Sequence, residues 1–188
     1  MYPVTRRSPR LQLRELAVDD VEAVHAIYGS SEATRHLSFE PRTRDQVHDI
    51  VSRSIASAAA EPRSEYALAV VERDRGGLVG FGRLAMDPHQ PRAATFGFAL
   101  HPDVWGCGIG TETVGLLLGL GFEQLELHRV WGARSPLNAA SARTMTKAGM
   151  SEEGRIREHV FKSGAWRDSI VHAILDHEWH QGLDPQES

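Results

Sequence analysis

The sequence predicts a mixed α/β single domain, and three observations predict it. Strand-like and helix-like stretches alternate along 188 residues, about the length of one compact domain. The middle of the chain reads as a β-meander, with β-rich runs that follow one another without a helix between them. A glycine-crowded stretch, "WGCGIG", then leads from a strand into an apolar helical run. The expected order is strand, two helices, meander, helix, strand, helix and two closing strands. One domain is expected over residues 1–180, with a disordered tail over 181–188.

Taken in order, "LQLRE" opens with alternation at Leu11 and Leu13, a short strand. Asp19 or Asp20 can cap a helix in which Val21, Val24, Ile27 and Tyr28 recur at helical spacing. Thr43 precedes a second helix over about 45–60, which ends in the "EPRS" turn. "EYALAVVERD" and "LVGFGRLAM" are β-rich runs joined by "RGG", a hairpin signal, and "ATFGFAL" is a third strand. That strand sets Phe96, Phe98 and Leu100 on one face and Gly97 and Ala99 on the other. The glycine loop feeds a helix through about residue 123, in which Gly115 and Gly119 suggest close helix–sheet packing. "HRVWGAR" follows as a strand and "SPLNAASARTMTKAGM" as a capped helix ending at Gly149. The closing strands are expected over 153–162 and 167–177, joined by "SGAW".

Composition narrows the function. With 41% hydrophobic and 24% charged residues the chain has the material for an apolar core. A net charge of -4 argues against a nucleic-acid partner and suits a cationic ligand. Arg6, Arg7, Arg10 and Arg14 read as a solvated basic end, since no basic run continues. The single cysteine, Cys107, permits no internal disulfide and fits a cytoplasmic location. Residues 1–12 lack the apolar core of a secretory signal. The longest uncharged apolar run, 114–122, is far short of the about 20 residues that span a bilayer, so no membrane partner is expected.

Two constellations carry chemistry. In "WGCGIGTET" the chain turns through Gly106, Gly108 and Gly110 and enters a helix near Thr111. Backbone N–H groups converge at such a point, the helix dipole adds positive potential, and glycine lets a phosphate approach. A tight strand-to-helix turn explains the same pattern. A Walker loop is excluded, because no Gly-Lys pair follows, and the spacing is not that of the dinucleotide fingerprint. In the second constellation Asn138 and Ser141, three apart, share a helix face near its N-terminus. Capping by Ser135 or Asn138 accounts for one of these residues but not both.

Together these segments resemble the GNAT superfamily of acyl-CoA-dependent N-acyltransferases, in particular the branch typified by ribosomal-protein-alanine N-acetyltransferases. The resemblance covers nearly the whole chain: the opening strand and helix, "FGFALHPDVWGCGIGTET", "NAASARTMTKAGM" and "GAWRDSIVHAIL". It implies a mixed, mostly antiparallel central sheet flanked by helices, with acetyl-CoA as cosubstrate, an amine acceptor and no metal. Gly106, Cys107, Gly108, Ile109, Gly110 and Thr111 would cradle the pyrophosphate. Phe98, Ala99 and Leu100 would form the strand edge along which the pantetheine arm lies, and Asn138 and Ser141 would face its thioester end. The resemblance leaves a monomer or a homodimer open. Two positions depart from the common pattern. Trp105 stands where Gln or Arg is frequent, and Met145 where many members place a thiolate-protonating Tyr. Ser141 is then the nearest proton donor.

Direct attack of an amine on the thioester needs a base. Glu158 in "RIREHVF" is the first candidate and His159 the second; strand alternation lets at most one face a cleft. Asp168 resembles a recurrent acid of the family and has a structural reading too. "HEWH" (His177, Glu178, His180) is one residue short of the HExxH zinc spacing. Cys107 has no His partner identifiable from sequence and reads as a variable, alkylation-sensitive loop position. The acceptor, a protein N-terminal amine or a small amine, would meet the first two helices and the closing strands. The competing readings are a non-catalytic acyl-CoA-binding module and an acyltransferase that uses another acyl-CoA or an aminoglycoside acceptor.

Overall fold

Alternating apolar residues in the strands put two faces of one sheet against two sets of helices. The computed structural model describes residues 2–181. The strands are β1 (Thr5–Arg7), β2 (Leu11–Glu15), β3 (Glu65–Glu72), β4 (Leu78–Met86), β5 (Ala93–Leu100), β6 (Arg129–Arg134), β7 (Ser151–Lys162) and β8 (Ala165–Leu175). They form one sheet in the order β1-β2-β3-β4-β5-β6-β8-β7. Only β5 and β6 run parallel. The helices are α1 (Val21–Tyr28), α2 (Ser31–Thr34), α3 (Arg44–Ala58), α4 (Ile109–Gly119), α5 (Ala139–Lys147) and α6 (Asp176–Gln181).

β3 shows the two-faced packing in one run. Tyr66, Leu68 and Val70 join Leu11, Leu13, Leu84, Phe96 and the apolar side of α4. Ala67, Ala69 and Val71 face Val24 and Ile27 of α1 and Val47 and Val51 of α3. Because both faces are covered, β3 is a continuous apolar run rather than an alternating one. Phe98 and Leu100 fall on the α4 side and Ala99 on the α1 side, as their spacing required.

Several local expectations are corrected. Residues 4–7 are not a solvated end: Val4 is buried and β1 pairs with β2. Arg6 binds Glu123, Arg10 binds Glu112, and Arg14 binds both carboxylate oxygens of Asp20 at 2.7 and 2.8 Å. Asp20 therefore does not cap α1; its carboxylate is spent on Arg14 and on the Ala17 N–H. α2 was not foreseen, being one turn capped by Ser30. The second helix expected over 45–60 is α3, whose Thr43 and Gln46 form a reciprocal capping box.

At the end of α4 the chain widens into a π turn over Leu120–Gln124. Gly115 does not pack on the sheet, whereas Gly119 is held close to Arg6 of β1. A Cβ at Gly115 would meet open space, and one at Gly119 would collide with the Arg6 guanidinium. Gly121 also lies close, to Val130 and Leu127. The closing hairpin turns through Ser163 and Gly164 alone, both at positive φ, so Ala165 and Trp166 belong to β8. β8 stops at Leu175, whose N–H donates to Glu178, and α6 follows where a strand to 177 was expected. The tail expectation for 182–188 lies outside the described residues. No helix among the described residues is long and apolar enough to cross a membrane.

Candidate active site

The site begins where two strands part. β5 pairs with β4 along its length, from Met86↔Ala94 to Gly80↔Leu100. Its parallel pairing with β6 covers only Ala93↔Arg129, Ala94↔Val130 and Thr95↔Trp131. Beyond Thr95 the β6-facing edge of β5 borders a gap, leaving strand N–H and C=O groups for something other than a strand. Just past the last pair the strands are still close at Gly132, where a Cβ would lie 2.5 Å from the Phe96 ring and 3.0 Å from its carbonyl, so the position accepts only glycine. A cleft of about 990 Å³ opens at this point, with Phe98, Ala99 and Leu100 along one wall. A Cβ at Gly97 would point into open space.

One end of the cleft is the glycine loop, and its three glycines have separate causes. Gly106 and Gly108 stand at φ of 76° and 79°, which favours glycine. Gly110 is there for proximity: a Cβ would lie 3.3 Å from Thr144 of α5. No side chain caps α4, so its first N–H groups are left for a ligand at the positive end of the helix dipole. Gly106, Gly108, Gly110 and Thr111 line the cleft. Cys107 and Ile109 do not: Cys107 is exposed, and the Ile109 side chain is buried in the core. The indole Nε1 of Trp105 donates to the Leu100 carbonyl at 3.1 Å, tying the loop to β5.

Arg10, in the basic start, braces this loop. Its guanidinium donates to the Cys107 carbonyl at 2.8 Å and to Glu112 at 2.7 Å. Burial works against the Glu112 charge, but the Ser8 hydroxyl and the Arg10 N–H and guanidinium hold its carboxyl below the usual range.

α5 forms the facing wall. Asn138 is its N-cap, with Oδ1 accepting from the Ser141 N–H at 3.0 Å, so one interaction fixes both residues at the cleft. Ser135 does not cap; it is buried and accepts from the Leu137 N–H. Met145 is buried in the core and offers no proton.

The two candidate bases are separated by a bulge. The register jumps from Ile156↔Ser169 to Val160↔Arg167, so Asp168 alone opposes residues 157–159. Strand alternation fails there. Glu158 sits at a φ of 50°, is exposed, and does not line the cleft. His159 does line it, with Nδ1 3.0 Å from the buried Ser169 hydroxyl. Asp168 pins the bulge, accepting from the Glu158 N–H at 2.8 Å and from Arg155 at 2.5 Å. These partners hold its carboxyl below the usual range.

The far end of the cleft is built from Tyr28 of α1, from Glu32 and Ala33 of α2, and from the loop His36–Phe39. α3, the second helix of the sequence reading, takes no part. Lys162 near the hairpin tip clasps this loop through the Thr34, Arg35 and Leu37 carbonyls. Over the cleft as a whole Glu32 is the one carboxylate among the lining residues, beside Arg83, Arg134, Arg143, Lys147 and Arg167, of which Arg83 is paired with Glu65 and Arg134 with Glu152. Burial, then Arg35, Arg167 and Lys162, push the His36 pKa down. Arg10, His36, Arg167 and Ser169 were not singled out in sequence for these roles, because nothing local marks them. The "HEWH" segment lies on α6, where His177 is exposed beside Asp176.

Residues 10–151 match the family model described as acetyltransferase (GNAT) domain. The chain is 28% identical over 180 residues to an uncharacterized N-acetyltransferase, YoaA, of Bacillus subtilis, covering 93% of this chain and 98% of that one. Among solved structures, Mycobacterium smegmatis RimJ in complex with CoA-disulfide superposes with a TM-score of 0.81 at 23% identity. That match covers 94% of this chain and 90% of RimJ. The spermidine N-acetyltransferase of Vibrio cholerae, solved with CoA and spermine, gives 0.80 at 21% identity, over 92% and 99% of the two chains.

Proposed function

Because the chain belongs to the acetyltransferase (GNAT) family and is an acyl-CoA-dependent N-acetyltransferase, we propose that it acetylates a primary amine by direct attack on acetyl-CoA. The observation that carries the reading is the parting of β5 from β6 beside the uncapped N-terminus of α4. An unpaired strand edge and a helix N-terminus at one cleft suit an amide-containing arm and a pyrophosphate respectively. Gly106, Gly108, Gly110 and Thr111 would hold the pyrophosphate, with Cys107 and Ile109 contributing main chain only. Phe98, Ala99 and Leu100 would hold the arm, and Asn138 and Ser141 would border the thioester. The CoA in the RimJ and Vibrio complexes is in keeping with this arrangement.

In the proposed reaction the amine nitrogen attacks the thioester carbonyl carbon, the C–S bond breaks, and CoA leaves as thiolate. Holding both reactants in one cleft supplies much of the rate advantage. The oxyanion would be met by a main-chain N–H near Leu100. His159 is favoured over Glu158 as the base, since it lines the cleft and Glu158 does not. When Nδ1–H donates to Ser169, Nε2 carries the lone pair that accepts the amine proton. The thiolate takes a proton from water or from Ser141, whose hydroxyl regains one from solvent, and His159 gives the amine proton up to solvent.

The test is release of CoA thiol from acetyl-CoA in the presence of a panel of primary amines. Amine-dependent release is expected, falling about a hundredfold or more in His159→Gln with little change in KM for acetyl-CoA. Release independent of every amine would refute the proposed transfer.

A further inference from the structure

We propose that the acceptor is a small amine that also carries a carboxylate, as a free amino acid does, and that Arg167 binds that carboxylate. The inference rests on the acetyltransferase reading above and specifies its acceptor. Arg167 and Ser169 are two apart on β8, so both face the cleft about 6–7 Å apart along the strand. Ser169 carries His159. A carboxylate on Arg167 therefore sets an amine a few bonds away beside the base.

Arg167 lines the cleft without the carboxylate partner that several arginines of the chain have. Arg14 and Arg155 each grip a carboxylate, and Arg83 is matched by Glu65. Arg167 has no carboxylate among the described residues. Its Nε is buried without a hydrogen-bond partner, and one terminal nitrogen reaches the Leu37 carbonyl at 3.3 Å. The nearby acids are engaged elsewhere: Asp168 with Arg155 and the Glu158 N–H, and Glu40 with Ser163.

A partly buried guanidinium without a counter-ion is costly, and a ligand carboxylate meets its planar donors well. Lys162 stands close enough to feel both Arg167 and Glu40, and burial together with the neighbouring cations keeps His36 toward its neutral form; the unpaired group is Arg167 itself. An unpaired guanidinium lining the cleft favours an acceptor that brings its own carboxylate over one that carries only cations. A protein N-terminus presents an amide where a free amino acid presents its α-carboxylate.

The experiment compares initial rates for free amino acids, their α-amides and spermidine at saturating acetyl-CoA. Full-length wild type, Arg167→Gln and Arg167→Lys are assayed, with acetyl-CoA binding followed by calorimetry. For wild type, kcat/KM for the best acid exceeds that of its amide by roughly ten- to a hundredfold. Arg167→Gln erases that ratio by slowing the acid alone, Arg167→Lys restores part of it, and both bind acetyl-CoA as wild type does. Should Arg167→Gln fail to fold, the wild-type acid-to-amide ratio decides. Amides or spermidine used as well as acids, or a ratio unchanged in Arg167→Gln, would overturn the proposal and leave the acetyltransferase reading standing. No transfer to any amine, from a protein that binds acetyl-CoA, would overturn both.

Discussion

At the scale of single residues, the site depends on which atoms are already engaged. His159 has one ring nitrogen against Ser169 and the other available, and Glu158, its neighbour, has its N–H held by Asp168. Ser169→Ala removes the partner that orients the imidazole without removing the base. A fall in kcat of about tenfold is expected, smaller than for His159→Gln, with KM for acetyl-CoA unchanged. Glu158→Gln is expected within about twofold of wild type. Steady-state kinetics on the three variants separate these roles. The sequence carried Asn138, Ser141 and the glycines because their spacing along one chain segment is itself the signal. Arg167 and Ser169 had no such signal: what makes them notable is a missing counter-ion and a histidine ten residues away in sequence, both properties of the folded surface.

At the scale of elements, two departures from regular geometry position the chemistry. β6 leaves β5 after three paired residues, and β7 bulges opposite Asp168. The strands themselves were legible from alternation and β-branched content. The bulge was not, because no turn residue marks it within "RIREHVF" and its kink depends on Asp168 across the hairpin. The acid sensitivity of the N-terminal region follows from another pairing. Burial opposes the Asp20 charge, but Arg14 and the Ala17 N–H overcome it and hold the carboxyl below its usual range. A carboxyl with a folded pKa below its unfolded one contributes stability above about pH 4, and that stability is lost as pH falls through the folded value. Asp20→Asn is expected to cost about 1–3 kcal/mol at neutral pH and to flatten this acid limb. Thermal unfolding between about pH 2.5 and 7 checks both.

At the scale of the whole molecule, the fold class and the covered two-faced sheet followed from the order of apolar runs. The charge of the cleft was not legible in the total. A net charge of -4 describes the entire surface, whereas the acceptor end of the cleft gathers guanidinium groups from β4 and β8. Nor is the basic start a solvated tail: Arg10 spans from the N-terminal strands to the glycine loop and fixes it through Cys107 and Glu112. The account as a whole stands on that loop and the parted strand edge holding acetyl-CoA together. Calorimetric titration of wild type and Gly108→Trp with acetyl-CoA, using NADH as control, tests this most directly. Gly108 caps α4 at a φ of 79°, so a tryptophan there puts bulk and strain where the pyrophosphate belongs. Saturable one-to-one binding of acetyl-CoA by wild type, no response to NADH, and affinity weakened at least about tenfold in a folded variant are the expected results. A folded wild type that does not bind acetyl-CoA, or a folded variant that binds it equally well, would contradict the account.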